Sequence, residues 1–88
     1  MAIEFPNLSR SYDETRRRVR FSGYDGTREI HLFVEEDAIW KLEGGTRAQG
    51  GSILMAFDRH RKRICEVATA VYRRHRDSTC SLTTTDFS

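Results

Sequence analysis

Residues 17–34 have the sequence RRVRFSGYDGTREIHLFV, in which two alternating runs flank Asp25-Gly26. A two-residue Asp-Gly loop favours a type I′ β-hairpin, because both central residues take positive φ. This turn predicts that Tyr24 pairs with Thr27 and Phe21 with Ile30. Successive side chains of a strand point to opposite faces. One face of the ribbon should therefore be apolar and bear Val19, Phe21, Ile30, Leu32 and Val34.

The other face of this ribbon is predicted to be polar, with one aromatic exception. It should carry Arg18, Arg20, Ser22, Glu29, His31 and Phe33. Before the ribbon, Ile3 and Phe5 alternate with polar or small residues, which predicts a short strand that ends at Pro6. Residues 7–14 are polar and predict a loop.

After the ribbon the pattern becomes helical. The acidic run Glu35-Glu36-Asp37 suits the positive end of a helix, and a two-turn helix should end at Gly44. Residues 44–51 contain four glycines and predict a flexible linker. Ser52 can cap a long helix, because an apolar stripe at helical spacing runs over residues 53–75. Residues 79–83 predict a last strand with Leu82 facing inward.

These elements predict a single α+β domain over residues 1–88. An antiparallel sheet of three or four strands should pack against one long helix and one short helix. The predicted order is β-β-β-α-α-β, and the flexible glycine-rich linker lies at about residues 44–51.

The sequence resembles a small family of short proteobacterial proteins known only as a domain of unknown function (number 1488). The resemblance rests on these stretches: Phe5-Pro6-Asn7, Ser11-Tyr12-Asp13, Val19-Arg20-Phe21, Tyr24-Asp25-Gly26, residues 33–38, Phe57, Tyr72 and residues 82–87. It implies a small α+β fold and a bacterial source. It implies no activity, so no functional residue is assigned from it.

Composition limits where the protein works. The net charge is only +2, from 15 basic and 13 acidic residues. The chain starts without a basic, apolar leader, and its longest apolar run, residues 53–57, is far shorter than the ~20 residues of a membrane span. Two cysteines, Cys65 and Cys80, do not make a disulfide framework. We therefore expect a cytoplasmic protein with free thiols and no membrane association.

Sites for metals, cofactors and catalysis are not predicted. The glycine-rich segment before Ser52 lacks the lysine of a phosphate-binding P-loop, since Gly51 stands at that position. His60 and His75 would lie about 22 Å apart on one helix, and neither cysteine belongs to a zinc or catalytic motif. We expect no metal, no cofactor and no enzymatic activity.

Basic residues form two candidate nucleic-acid surfaces. Arg18 and Arg20 share the polar sheet face with Phe33, and cations beside an aromatic ring can bind single-stranded nucleic acid. Arg59, Lys62 and Arg63 belong to the outer face of the long helix. The alternative is an ordinary solvated surface, because acidic residues such as Glu66 lie at helical spacing from these cations.

Phe33 and Trp40 are candidate protein-interface residues. Phe33 points to the polar side of the ribbon, and Trp40 lies away from the apolar face of the short helix. Exposed aromatic residues are enriched at protein interfaces. The alternative is that the long helix or the N-terminal segment covers Phe33 and that Trp40 lies flat on its neighbours. We therefore predict a non-enzymatic protein-interaction module, with a protein partner or a second copy. A nucleic-acid-binding accessory protein is the second hypothesis.

Overall fold

A computed structural model describes residues 3–44 and 52–87 of the chain. Four strands form one sheet in the order β1-β2-β3-β4. Their bounds are β1 Ser11–Asp13, β2 Arg18–Asp25, β3 Arg28–Glu35 and β4 Thr79–Leu82. The helices between β3 and β4 are α1 Glu36–Leu42, α2 Ile53–Arg59 and α3 Arg61–His75, and a 3₁₀ helix spans Thr84–Phe87.

The hairpin of β2 and β3 forms as predicted, but its turn is displaced by one residue. Asp25 pairs with Arg28, so Gly26 and Thr27 make the two-residue loop. Gly26 alone of these two has positive φ, at 66°, which matches the glycine-first rule of a type II′ turn rather than type I′. The pairing of Tyr24 with Thr27 and of Phe21 with Ile30 is therefore wrong, since Tyr24 pairs with Glu29.

The first strand is not where the sequence predicted it. Residues 3–5 make only a bridge, in which Glu4 and Tyr24 exchange two backbone hydrogen bonds of 2.8 and 2.7 Å. Strand β1 lies instead in the predicted loop, and Ser11 and Asp13 pair with Arg20 and Arg18 along the same edge of β2.

The predicted all-antiparallel sheet is also wrong, because β4 pairs parallel to β3, with Leu32 beside Cys80 and Val34 beside Leu82. A parallel neighbour requires a crossover connection, and the three helices supply it. The predicted long helix is broken at His60, whose backbone (φ −107°, ψ 13°) ends α2 and begins α3. The observed order is therefore β-β-β-α-α-α-β.

The core lies between one face of the sheet and the helices. The predicted ribbon residues Val19, Phe21, Ile30, Leu32 and Val34 are all buried, as is Leu82 of β4. They pack against buried helix residues, and the rings of Phe21 and Phe57 meet edge to face at 5.1 Å. Gly23 also faces inward, where a Cβ would stand 2.8 Å from Ile3 Cδ1.

Helix ends follow the sequence signals where the structure describes them. Ser52 caps α2, because its hydroxyl accepts from the Leu54 backbone N–H at 3.1 Å. Gly44 follows α1 with a φ of 97°, the left-handed conformation expected of a glycine stop. The rest of the predicted linker, residues 45–51, lies outside the described residues.

Candidate interaction surface

The outer face of the sheet is the side that turns away from the helices. All four strands contribute side chains to it: Ser11, Asp13, Arg18, Arg20, Ser22, Glu29, His31, Phe33, Thr79 and Ser81. Every one of these residues is exposed or half-buried. The alternate residues of the same strands form the buried core, so the sheet is covered on its inner face and open on its outer face within the described chain.

Phe33 lies at the middle of the outer face, between Arg20 on β2 and Ser81 on β4. The guanidinium of Arg18 covers its ring, with Cζ 3.7 Å from the ring centroid. Arg18 Nε also lies 3.5 Å from Asp13 Oδ2. Phe33 is therefore half-buried beneath a cation. Its ring is covered by Arg18 of the neighbouring strand, and not by a helix or the N-terminal segment as the alternative prediction had it.

Arg20 differs from Arg18 in having no partner in the described part of the chain. Its side chain is exposed, and it makes no hydrogen bond or ion pair with the described residues. It lines a shallow depression of about 210 Å³ on the outer face. The other lining residues are Ser9, Arg10, Ser11, Phe21, Ser22, Glu29 and His31.

The remaining predicted cations lie on the helix layer, on the opposite side of the sheet. Arg59 on α2 pairs with Glu43 after α1. Arg63 on α3 lies 3.8 Å from Glu66, and both side chains are more than half exposed, which is the solvated helix pair that the spacing indicated. Lys62 is exposed on the same helix. The five predicted cations therefore form two groups separated by the core, and they do not make one surface.

Trp40 is buried, at 8% exposure. Its indole Nε1 donates a 3.0 Å hydrogen bond to Glu36 Oε2, one helical turn earlier. The Tyr12 hydroxyl donates to the other oxygen of Glu36, which raises the pKa of Tyr12. Neighbouring residues therefore cover Trp40, which is the alternative that the sequence left open to an interface role. Little of its ring is exposed for contact with a partner.

Sequence reasoning missed the structural role of Glu36. The acidic run before α1 predicted only an interaction with the helix dipole, whereas Glu36 is a buried carboxylate that joins β1 to α1. A signal was available in the spacing, because residues four apart share a face of a helix. Glu36 and Trp40 have that spacing, and a buried indole N–H needs an acceptor.

Two ionic clusters attach loops to the helix layer, and both were missed. Asp58 on α2 accepts two hydrogen bonds from Arg10, at 3.0 and 2.8 Å, which lower its pKa. Glu43 accepts from Arg59 and lies 2.7 Å from His60 Nε2, and these two contacts lower the pKa of Glu43. The partners are far apart in sequence, so no local spacing could have revealed them.

Cys65 and Cys80 are free thiols, and burial raises the pKa of each. Within residues 3–44 and 52–87, no three His, Cys, Asp or Glu side chains come together as a metal site would need. No described helix is both long and apolar enough to traverse a bilayer.

The fold and this surface define a small α+β domain with a mixed sheet, helices on its inner face and a polar outer face. The chain belongs to the family described as protein of unknown function (DUF1488), whose model matches residues 3–82. The family resemblance of the sequence is thereby confirmed. No curated protein and no solved structure matches the chain.

Proposed function

We propose that this domain is a non-enzymatic protein-interaction module that binds an acidic segment of a partner protein on the outer face of its sheet. One observation carries the proposal: the guanidinium of Arg20 lies beside Phe33 on an open sheet face and has no partner among residues 3–44 and 52–87. Arginine and aromatic residues are the types enriched at protein interfaces. An acidic partner would supply the charge that the described chain does not supply to Arg20.

The composition of the depression supports a binding role over a catalytic one. Glu29 and His31 both line it, and three serine hydroxyls lie nearby. A hydroxyl nucleophile needs a base within hydrogen-bond distance. The described side chains of His31 and Glu29 make no hydrogen bond to any of these hydroxyls, so no activated nucleophile supports enzymatic activity. We also infer a bacterial cytoplasmic location, which the two free thiols support.

Nucleic-acid binding is the second candidate, because Arg18 and Arg20 flank Phe33 as in a base-stacking surface. Two features weaken it. The Arg18 guanidinium occupies a face of the Phe33 ring where a base would stack. Arg59, Lys62 and Arg63 lie across the core and cannot extend the same binding track.

The test is affinity capture from lysate of the source cells, with and without nuclease, followed by titration of the purified partner. Three baits are compared: the wild-type chain, Arg20→Glu and the matched control Arg73→Glu, which reverses an exposed helix arginine that also has no described partner. We expect the wild type and Arg73→Glu to bind the same protein regardless of nuclease, and Arg20→Glu to bind it at least tenfold more weakly. Circular dichroism of each bait checks its folding.

Three results would overturn the proposal. Equal affinity of Arg20→Glu and the wild type would remove the outer face from the interaction. Loss of the captured partner after nuclease treatment would favour the nucleic-acid function, with the steep salt dependence expected of phosphate binding. A dimer in light scattering that Arg20→Glu dissociates would identify a second copy as the occupant instead of another protein.

A further inference from the structure

The depression on the outer face is lined by hydrogen-bond donors from three segments. Arg20 and Ser22 come from β2, His31 comes from β3, and Ser9 and Ser11 come from β1 and the residues before it. Ser11 is the cross-strand neighbour of Arg20, and Ser22 is the neighbour of His31. Side chains of neighbouring strands on one face stand about 5 Å apart, so these groups can contact a single small ligand.

These donors are not used within the described chain. The side chains of Arg20, Ser22 and His31 have no hydrogen-bond or ion-pair partner among residues 3–44 and 52–87. Arg10, which also borders the depression, is different because Asp58 neutralises it through two hydrogen bonds. The depression therefore offers a guanidinium, an imidazole and several hydroxyls, against the single carboxylate of Glu29 in its lining.

We propose that this depression binds a phosphate monoester group carried by the partner protein, such as a phosphorylated serine side chain. The inference deepens the proposed function and rests on it for the molecule that carries the phosphate. An arginine fork binds two oxygens of a phosphate at once. A phosphate monoester has three terminal oxygens, so Arg20 can take two while Ser11, Ser22 or His31 donates to the third. A carboxylate has two oxygens and would leave the donors of the neighbouring strands unused.

Glu29 sets the limit on affinity, because its carboxylate repels an anion in the same depression. Removal of the Glu29 charge should therefore strengthen phosphate binding, and a variant that has lost its fold cannot show that result. Glu29→Gln should strengthen phosphate binding, whereas Arg20→Gln should weaken it. A variant that merely unfolds would lose binding in both cases.

The experiment is an NMR titration of the ¹⁵N-labelled full chain with N-acetyl-phosphoserine amide at constant ionic strength. N-acetyl-serine amide is the control ligand, and Arg73→Gln is the control variant. We expect chemical-shift changes at the amides of Ser11, Arg20, Ser22 and His31, and none of comparable size with the unphosphorylated ligand. Loss of a charge-assisted arginine contact should raise Kd roughly tenfold or more in Arg20→Gln. Arg73→Gln should leave Kd unchanged, and Glu29→Gln should lower it.

Absence of these shifts, or an unchanged Kd in Arg20→Gln, would overturn the phosphate site. Capture of a protein partner through Arg20 without phosphoserine binding would leave the proposed function standing and remove only the phosphate assignment. Phosphoserine binding without any protein partner that depends on Arg20 would support the phosphate site and remove the proposed function. A parallel titration with a short oligothymidylate separates the sources: tighter, Arg20-dependent binding of that probe would assign the phosphate to nucleic acid and contradict a phosphoprotein.

Discussion

Replacing Glu36 with leucine should lower the free energy of unfolding by about 1–4 kcal/mol. The substitution leaves the N–H of Trp40, a residue 8% exposed, without its acceptor, and an unsatisfied buried donor costs about 1–3 kcal/mol. Loss of an acid from the first turn of α1 adds about 0.3–1 kcal/mol. The half-buried Tyr12 hydroxyl adds less, because it can turn to water, and the apolar gain of leucine offsets part of the total.

The size of this effect is large for such a small domain. At roughly 0.05–0.15 kcal/mol per residue, 88 residues correspond to a total stability of roughly 4–13 kcal/mol. Glu36→Gln is the matched control, because its amide keeps an acceptor for Trp40 and a polar group for Tyr12. We expect it to cost about 1 kcal/mol, the net value of exchanging charged for neutral hydrogen bonds.

Urea unfolding followed by far-ultraviolet circular dichroism measures both variants. Fluorescence is a poorer signal here, since the chain has one tryptophan and that residue contacts the mutated side chain. An unfolding free energy of Glu36→Leu within about 0.5 kcal/mol of the wild-type value, the usual range of surface substitutions, would contradict the role of Glu36 as a buried acceptor. Equal destabilisation by glutamine and leucine would contradict it as well.

Two further predictions concern charge and backbone. Hydrogen bonds from arginine lower the pKa of Glu43 and of Asp58 in the folded state, so the ionised carboxylates stabilise the fold. This stabilisation is fully present above the ordinary pKa values of 4.5 and 3.8. It is lost as the pH falls through the lower pKa values of the folded state. Between pH 6 and pH 2, the free energy of unfolding should therefore fall less steeply with decreasing pH in Glu43→Gln than in the wild type or in Glu66→Gln. Equal pH dependence in the three proteins would contradict the Glu43 contacts. Gly26→Ala should destabilise the hairpin by about 1–2 kcal/mol, because Gly26 has a φ of 66° with open space around it and only backbone strain can oppose the methyl group. A thermal unfolding midpoint equal to that of the wild type would show that the turn does not need positive φ.

The faces of the sheet were predictable even though the register was not. The predicted and observed pairings of β2 with β3 differ by two residues, because the loop is Gly26-Thr27 instead of Asp25-Gly26. A shift of two conserves the alternation of faces, whereas a shift of one would invert it. Both loops contain two residues and a glycine that suits a hairpin turn, so local turn chemistry could not separate them. The observed register places Gly23 opposite Ile30, where Ile3 can pack over it.

The direction of β4 and the break at His60 could not be predicted from local patterns. Alternation of buried and exposed residues in β4 is the same whichever way the strand runs. Phe57 and Ile64 are seven residues apart, and that spacing keeps one helical face whether or not the helix is interrupted between them. The break at His60, which ends α2 and begins α3, is therefore not revealed by this spacing.

The candidate site was predicted in part, for a related reason. Alternation placed Arg18, Arg20 and Phe33 on one face correctly, since each lies on the outer side of the hairpin. The grouping of these residues with Arg59, Lys62 and Arg63 required knowledge of which side the helices cover. The buried position of Trp40 depended on Tyr12 and Glu36, which only tertiary structure brings to the same place.

The distribution of ion pairs explains why one arginine is informative in a chain of nearly balanced charge. Exposed ion pairs contribute little to stability, but they show which charges the fold already neutralises. Arg10 and Arg59 bind acids on other elements, and Arg18 binds Asp13 and covers Phe33. Arg20 lies two residues further along the same face of β2, next to donors that also have no partner in the described chain. The fold pairs Arg10 and Arg18 but leaves Arg20 without a partner among the described residues, on a concave part of the outer sheet face. An anionic ligand would complete this charge arrangement.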